Sequence, residues 1–250
     1  MLRRFIFLFA VIAADLAPLQ AEELGLAVAA NFTLPMKEIA GRFEAQSGHR
    51  LNISFGSSGR LYAQISNGAP FQLFFSADQE KPEALVAGGL ALADSRFTYA
   101  VGGLVLWSPD ERAHVADAEV LMNQSADRLA IANPRLAPYG IAAMQVLEAL
   151  GLESAYRDRL VMGENINQAY QFVDTGNVPV GLLALSQVMA GGELRKGVGW
   201  IIPGELYDPI RQDAVMMKAA RDSVAAREFM KFMLGNEART IMADYGYGTE

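Results

Sequence analysis

The chain has 250 residues, 52% of them hydrophobic, a formal net charge of −7 and no cysteine. The absence of cysteine excludes a disulfide frame, a thiolate metal site, a cysteine nucleophile and the acylated cysteine that tethers a lipoprotein. An acidic chain with no run or stripe of Lys and Arg argues against nucleic acid as a partner.

The N-terminus opens with Arg3 and Arg4, an apolar run from Phe5 to Ala14, Asp15 and then the small residue Ala21. A basic start, a short apolar stretch and a small residue make a secretory signal peptide, and the run is too short to span a bilayer. Cleavage is expected after Ala21, and loss of Arg3, Arg4 and Asp15 takes the mature charge to −8. An exported protein without a lipid tether needs a closed outer compartment to retain it, which points to the periplasm.

Strand-type and helix-type segments then alternate. Leu24 to Ala29 reads as a strand, and Met36, Ile39, Ala40 and Phe43 recur at helical spacing between Pro35 and Gly48. Leu51 to Phe55 reads as a strand, Arg60 to Ser66 as a helix, Leu73 to Ser76 as a buried strand and Glu80 to Ala87 as a helix. Tyr99 to Trp107 reads as one long strand or a pair, with a bulge at Gly102-Gly103. Leu129 to Ala132 is strand-like, Ile141 to Leu150 helical before Gly151, and Gln168 to Asp174 helical before Gly176. Val180 to Leu183, Val198 to Ile202 and Ala214 to Met217 read as strands, and Val224 to Leu234 as a periodic helix before Gly235.

This alternation predicts an α/β fold with mostly parallel sheets flanked by helices. One sheet would need too many strands, so two lobes are expected. Lobe one takes residues 22–97 and 207–250, and lobe two residues 98–206. Ligands of open α/β sheets bind beyond the carboxyl ends of strands, here in the cleft between lobes.

Four strand-to-helix junctions share one chemistry: small, neutral hydrogen-bond donors. They are Ala29-Ala30-Asn31-Phe32-Thr33, Gly56-Ser57-Ser58-Gly59, Ala137-Pro138-Tyr139-Gly140 and the Asn165-Ile166-Asn167 part of Glu164 to Asn167. A helix N-terminus offers unpaired N–H groups and a partial positive charge, so an anion is favoured there without any Lys or Arg. Taken singly, each such residue is what an ordinary N-cap requires. Two junctions per lobe together point to a small oxyanion. Asp78 and Glu164, which would repel one, are expected to cap a helix and to point away from the cleft, respectively.

These junctions, with Leu61-Tyr62-Ala63-Gln64-Ile65, Asn67-Gly68-Ala69-Pro70, Phe74 to Asp78, Asn133-Pro134 and Tyr207-Asp208-Pro209-Ile210, resemble the periplasmic molybdate-binding proteins of ABC transporters. The resemblance runs in order over essentially the whole mature chain. It implies a two-lobed solute-binding protein that holds molybdate or tungstate by uncharged donors and hands it to a membrane permease. Carried over by motif, it assigns binding to Ala30, Asn31, Ser58 with its hydroxyl and N–H, the Tyr139 phenol and the Ile166 N–H. Two departures stand out: Ala184 occupies the place where some members carry the ligand tyrosine, and Asn31 stands where others have serine.

His49 and His114 read as solvated surface histidines, no serine–base motif or paired carboxylates mark a catalytic centre, and no G-x-G-x-x-G follows a strand. The chain is therefore expected to be a monomeric, non-catalytic carrier with no cofactor and no directly coordinated metal, molybdenum entering only as its oxyanion. Sulfate is the alternative ligand; phosphate, which carries a proton near neutral pH, would call for an acceptor that the four junctions lack.

Overall fold

The computed structural model describes residues 21–123 and 125–248. The expected leader falls on residues 1–21, so all but its last residue lies outside the described residues. No helix among the described residues is long and apolar enough to cross a membrane.

In chain order the first half runs β1 (Glu23–Ala29), α1 (Thr33–Ser47), β2 (Arg50–Gly56), α2 (Ser58–Ser66), β3 (Leu73–Phe75), α3 (Glu80–Ala87), β4 (Phe97–Gly102) and β5 (Leu104–Ser108). The middle runs α4 (Glu119–Met122), β6 (Leu129–Ala132), α5 (Pro138–Ala149), α6 (Glu153–Tyr156), β7 (Leu160–Gly163), α7 (Ile166–Asp174) and β8 (Val180–Ala184). Then follow α8 (Leu185–Val188), β9 (Met189–Ala190), β10 (Glu193–Leu194), β11 (Val198–Ile201), β12 (Ile210–Met216), α9 (Val224–Met233) and α10 (Asn236–Asp244). Gly48, Gly151 and Gly176 end their helices at positive φ, the backbone region where a Cβ is penalised.

Two five-stranded sheets carry the molecule, in the orders β2-β1-β3-β12-β4 and β11-β5-β8-β6-β7. Each sheet is mixed but mostly parallel, as expected: β12 in the first and β5 in the second run against the other four strands of their sheet. Strands β4, β5, β11 and β12 are the segments by which the chain passes between lobes. β5 follows β4, and β12 follows β11, with no α-helix between them, so nothing forces β5 and β12 parallel to their sheet neighbours.

The expected boundary between residues 97 and 98 shifts. β4 is the edge strand of the first sheet, paired with β12, so the chain changes sheets at Gly102–Leu104. The Gly102-Gly103 pair is accordingly a sheet-to-sheet passage and not a bulge.

Burial follows the layers. One core lies between the first sheet and α1, α9 and α10, where Phe32, Phe43, Phe75 and Phe229 pack edge to face with Tyr99 and Phe232. A smaller one under the other face holds Leu61, Ile65, Phe74 and Leu85. The second lobe's core, around Trp107, Ile131 and Leu183, extends through Ala29, Ala30 and Ala77 of the first. The two lobes thus meet in packed contact where β1 and β3 end.

Candidate functional site

All five residues assigned from the motif line one small cavity between the lobes. Ala30 and Asn31 come from the turn after β1, Ser58 from the start of α2, Tyr139 from the start of α5 and Ile166 from the start of α7. The lining is completed by Ala29, Gly56, Ser57, Ala77, Ala137 and Pro138, so no charged side chain faces this space among the described residues.

The helix starts are what make it polar. No side chain caps the turn after Ala29, the start of α2 after Ser57, or the start of α5 after Ala137. At α2 the Ser58 N–H is left for whatever occupies the cavity, while that of Gly59 goes to Leu136 O and Pro138 at the start of α5 has none to give. At α7, Asn165 does act as a cap, but its oxygen takes the N–H groups of Asn167 (2.9 Å) and Gln168 (3.2 Å) and leaves that of Ile166.

The hydroxyls fit the same logic. Ser58 Oγ accepts the Ala77 N–H at 2.9 Å, which leaves the Ser58 proton free to donate. Ser57, 4% exposed, has a buried Oγ with no hydrogen-bond partner. A dry, unpaired hydroxyl costs about 1–3 kcal/mol, so an acceptor in the cavity is the natural complement to it. The motif pointed to Ser58 and passed over Ser57, because only the folded packing shows which hydroxyl is left unsatisfied.

Behind the cavity lies a buried polar network. Asn31 Nδ2 donates to Gln212 Oε1 (2.8 Å) and to the Tyr247 hydroxyl (2.9 Å). Its side-chain nitrogen is thus committed within this network. Ser186 Oγ donates to Asn31 O at 2.8 Å, and Gln212 Nε2 donates to the Tyr139 hydroxyl at 3.3 Å. Burial holds the Tyr139 and Tyr99 phenols well above their ordinary pKa and pushes that of Tyr247 up to about 12. All three therefore remain protonated donors across the physiological range.

The same burial predicts an alkaline instability. Below pH 10 folded and unfolded chains both hold these protons; above it the unfolded chain releases them first. Stability from the buried phenols should be fully present below about pH 10 and fall as pH approaches 12. Chemical denaturation across pH 8–12 will show this, and Tyr247→Phe should flatten the decline.

Acidic groups are kept out of the cavity, though not all as expected. Asp78 accepts the Lys81 N–H (3.1 Å) at the start of α3 and pairs with the Lys81 ammonium (2.6 Å). Asp213, 2% exposed, is held by Arg96 at 2.9 Å and by Thr98 at 2.7 Å. Glu164 does not point away from the cleft: it pairs with Arg60 of α2 at 3.1 Å, bridging the lobes at the rim. Asn167 Nδ2 to Thr33 Oγ1 (2.9 Å) and Gly59 N–H to Leu136 O (2.9 Å) close the same side.

Ala184 is buried at the end of β8, and its N–H donates to Gln187 Oε1 at 3.2 Å. His49 departs from its expected surface position. It is 1% exposed, accepts the Glu22 N–H at Nδ1 (3.0 Å) and lies over Phe43, so it is a structural residue of the first lobe. His114 is exposed, as the sequence suggested.

Residues 24–248 match the family model of bacterial extracellular solute-binding proteins. The molybdate-binding protein ModA of Azotobacter vinelandii is 50% identical over 92% of this chain and 92% of its own. That of Rhodobacter capsulatus is 46% identical over 93% of this chain and 91% of its own. The solved structure of a periplasmic molybdate-binding protein from Azotobacter vinelandii superposes with a TM-score of 0.87 at 40% identity, covering 91% of this chain and 99% of that one. With the family model spanning nearly every described residue, the chain belongs to the bacterial extracellular solute-binding protein family.

Proposed function

We propose that the chain captures molybdate or tungstate in the periplasm, after cleavage of its leader, and delivers the anion to the permease of an ABC transporter. It acts as a monomer, performs no catalysis and engages no nucleic acid. Ala30, Asn31, Ser58 and Ile166 supply backbone N–H groups, and Ser58 and Tyr139 supply hydroxyls. The single observation that carries this reading is the cavity's lining: uncapped helix starts and hydroxyl donors from both lobes, with no charged side chain.

The energetics are consistent with a dianion. Hydrogen bonds to a charged group contribute about 1.5–3 kcal/mol each, so six or seven offset the several-kcal/mol cost of drying the ion. Phosphate is disfavoured because its proton would face another donor. Sulfate is disfavoured because a smaller ion cannot reach donors fixed on two lobes.

Ligand that links two lobes stabilises the folded, closed form by mass action. Thermal denaturation should show a melting temperature that climbs with molybdate or tungstate concentration and stays flat with phosphate. An unchanged midpoint at saturating molybdate would refute the assignment.

Tyr139→Phe keeps the ring and removes one donor from a dry cleft. It should lower molybdate affinity by about 1.5–3 kcal/mol, roughly ten- to a hundred-fold. Tyr156→Phe is the control: that ring is buried in the second lobe and its hydroxyl donates to Leu121 O at 3.3 Å, away from the cavity. Equal molybdate affinity for Tyr139→Phe and the parent would remove Tyr139 from the site.

A further inference from the structure

We infer that Gln212 is a positioning residue for the ligand: its amide fixes the Tyr139 hydroxyl as a donor toward the bound oxyanion. The inference rests on the proposed function and adds a residue from outside the cavity lining. Gln212 is fully buried on β12, the strand by which the chain returns to the first lobe. Its Oε1 accepts from Asn31 Nδ2 at 2.8 Å and from the Tyr99 hydroxyl at 3.0 Å, whose one proton is shared with Ser76 O at 3.1 Å. With the oxygen committed to those two donors, Nε2 is the atom turned to Tyr139, whose hydroxyl oxygen accepts it at 3.3 Å.

A phenol has one proton to give, and an oxygen that is already accepting favours donation elsewhere. The neighbouring Tyr247 hydroxyl already accepts from Asn31 Nδ2. An oxyanion is the stronger, charged acceptor, so the Tyr139 proton goes to it. Were the Gln212 amide absent, the phenol would be free to rotate its proton away.

Two backbone features place this amide. Pairing of β12 with β4 slips between Gln212 and Asp213: Gln212 faces Ala100 and Asp213 faces Thr98, leaving Tyr99 without an opposite residue. A bulge of this kind re-aims side chains beside a site, and here it brings Tyr99 and Gln212 onto one network. Gly102 then clears the space, since a Cβ there would sit 2.1 Å from the Tyr139 hydroxyl and 2.6 Å from Gln212 Nε2.

The test is a double-mutant cycle on the mature protein, read by calorimetric titration with sodium molybdate. Gln212→Met removes the amide. Gln212→Asn keeps a buried amide but withdraws it by one methylene, and serves if the first variant does not fold. Either is expected to weaken binding about five- to thirty-fold in the parent background and less than about two-fold in Tyr139→Phe, because coupled residues are non-additive. Equal losses in both backgrounds would show a merely structural role, and no loss in the parent would dismiss the positioning altogether. A parent that does not bind molybdate would instead defeat the proposed function, a result the cycle reports separately.

Discussion

Ser57→Asp should abolish molybdate binding, by a thousand-fold or more, while leaving the fold intact. Ser57 is the residue preceding α2, where aspartate is among the preferred caps and the helix dipole favours a negative charge. The free protein should therefore melt no lower than the parent. The same carboxylate would line a cavity whose other groups are all neutral. Two unit charges about 4 Å apart repel by roughly 4 kcal/mol at an effective dielectric of 20, and a dianion doubles that. Half of the larger figure already corresponds to about a thousand-fold in affinity. Ser57→Ala, which deletes the unpaired hydroxyl without adding charge, separates repulsion from loss of a donor. A well-folded Ser57→Asp protein that binds molybdate within about ten-fold of the parent would mean that the anion sits elsewhere.

The second large effect is expected from Gly102→Ala, a change far from any predicted ligand contact in sequence. A Cβ at this position would lie 2.1 Å from the Tyr139 hydroxyl and 2.6 Å from Gln212 Nε2, both on buried side chains. The added methyl must push the phenol out of donor position or part the lobes. Overpacking of this kind costs about 1–3 kcal/mol of stability. Affinity should fall by at least about a hundred-fold, more than for Tyr139→Phe, since closure suffers along with one hydrogen bond. Gly41→Ala is the matched control: it lies on the exposed face of α1 with no neighbour within 4 Å and should leave binding unchanged. If Gly102→Ala binds normally, the Tyr139 hydroxyl does not hold its place over Gly102 in the complex.

Much of the fold was legible because apolar periodicity and glycine stops act locally. Glu80–Ala87 and Leu129–Ala132 form with the predicted bounds, and the helix ends at Gly48, Gly151 and Gly176 fall where the glycines placed them. Helices α2, α5 and α7 each begin two or three residues earlier than periodicity suggested, at Ser58, Pro138 and Ile166. Those early turns are polar or irregular in composition, and they are the turns that line the cavity. Helix α10 was missed because its apolar stripe is thin, with Ala238, Ile241 and Met242 buried among charged neighbours. Strand β7 was missed because, at the sheet edge, only Gly163 is fully buried.

The site was readable to the extent that it lies on contiguous motifs. Ala30, Asn31, Ser58, Tyr139 and Ile166 are each adjacent to a helix start and carry their chemistry in the local sequence. Gln212, Tyr247 and Ser186 sit in unremarkable surroundings and become part of the site only through contacts across 61 to 216 residues of chain. Gly102 is likewise invisible locally, because its role is set by the distant Tyr139 ring it must not obstruct. A buried serine without a partner is a property of packing, and no pattern of residues announces it.

Neutral donors from two lobes should select a large, fully ionised tetrahedral anion. Isothermal titration of the mature protein with molybdate, tungstate, sulfate and phosphate under one buffer condition tests it most directly. One-to-one binding of molybdate and tungstate is expected, with much weaker binding of sulfate and negligible binding of phosphate. Sulfate or phosphate bound as tightly as molybdate would contradict it.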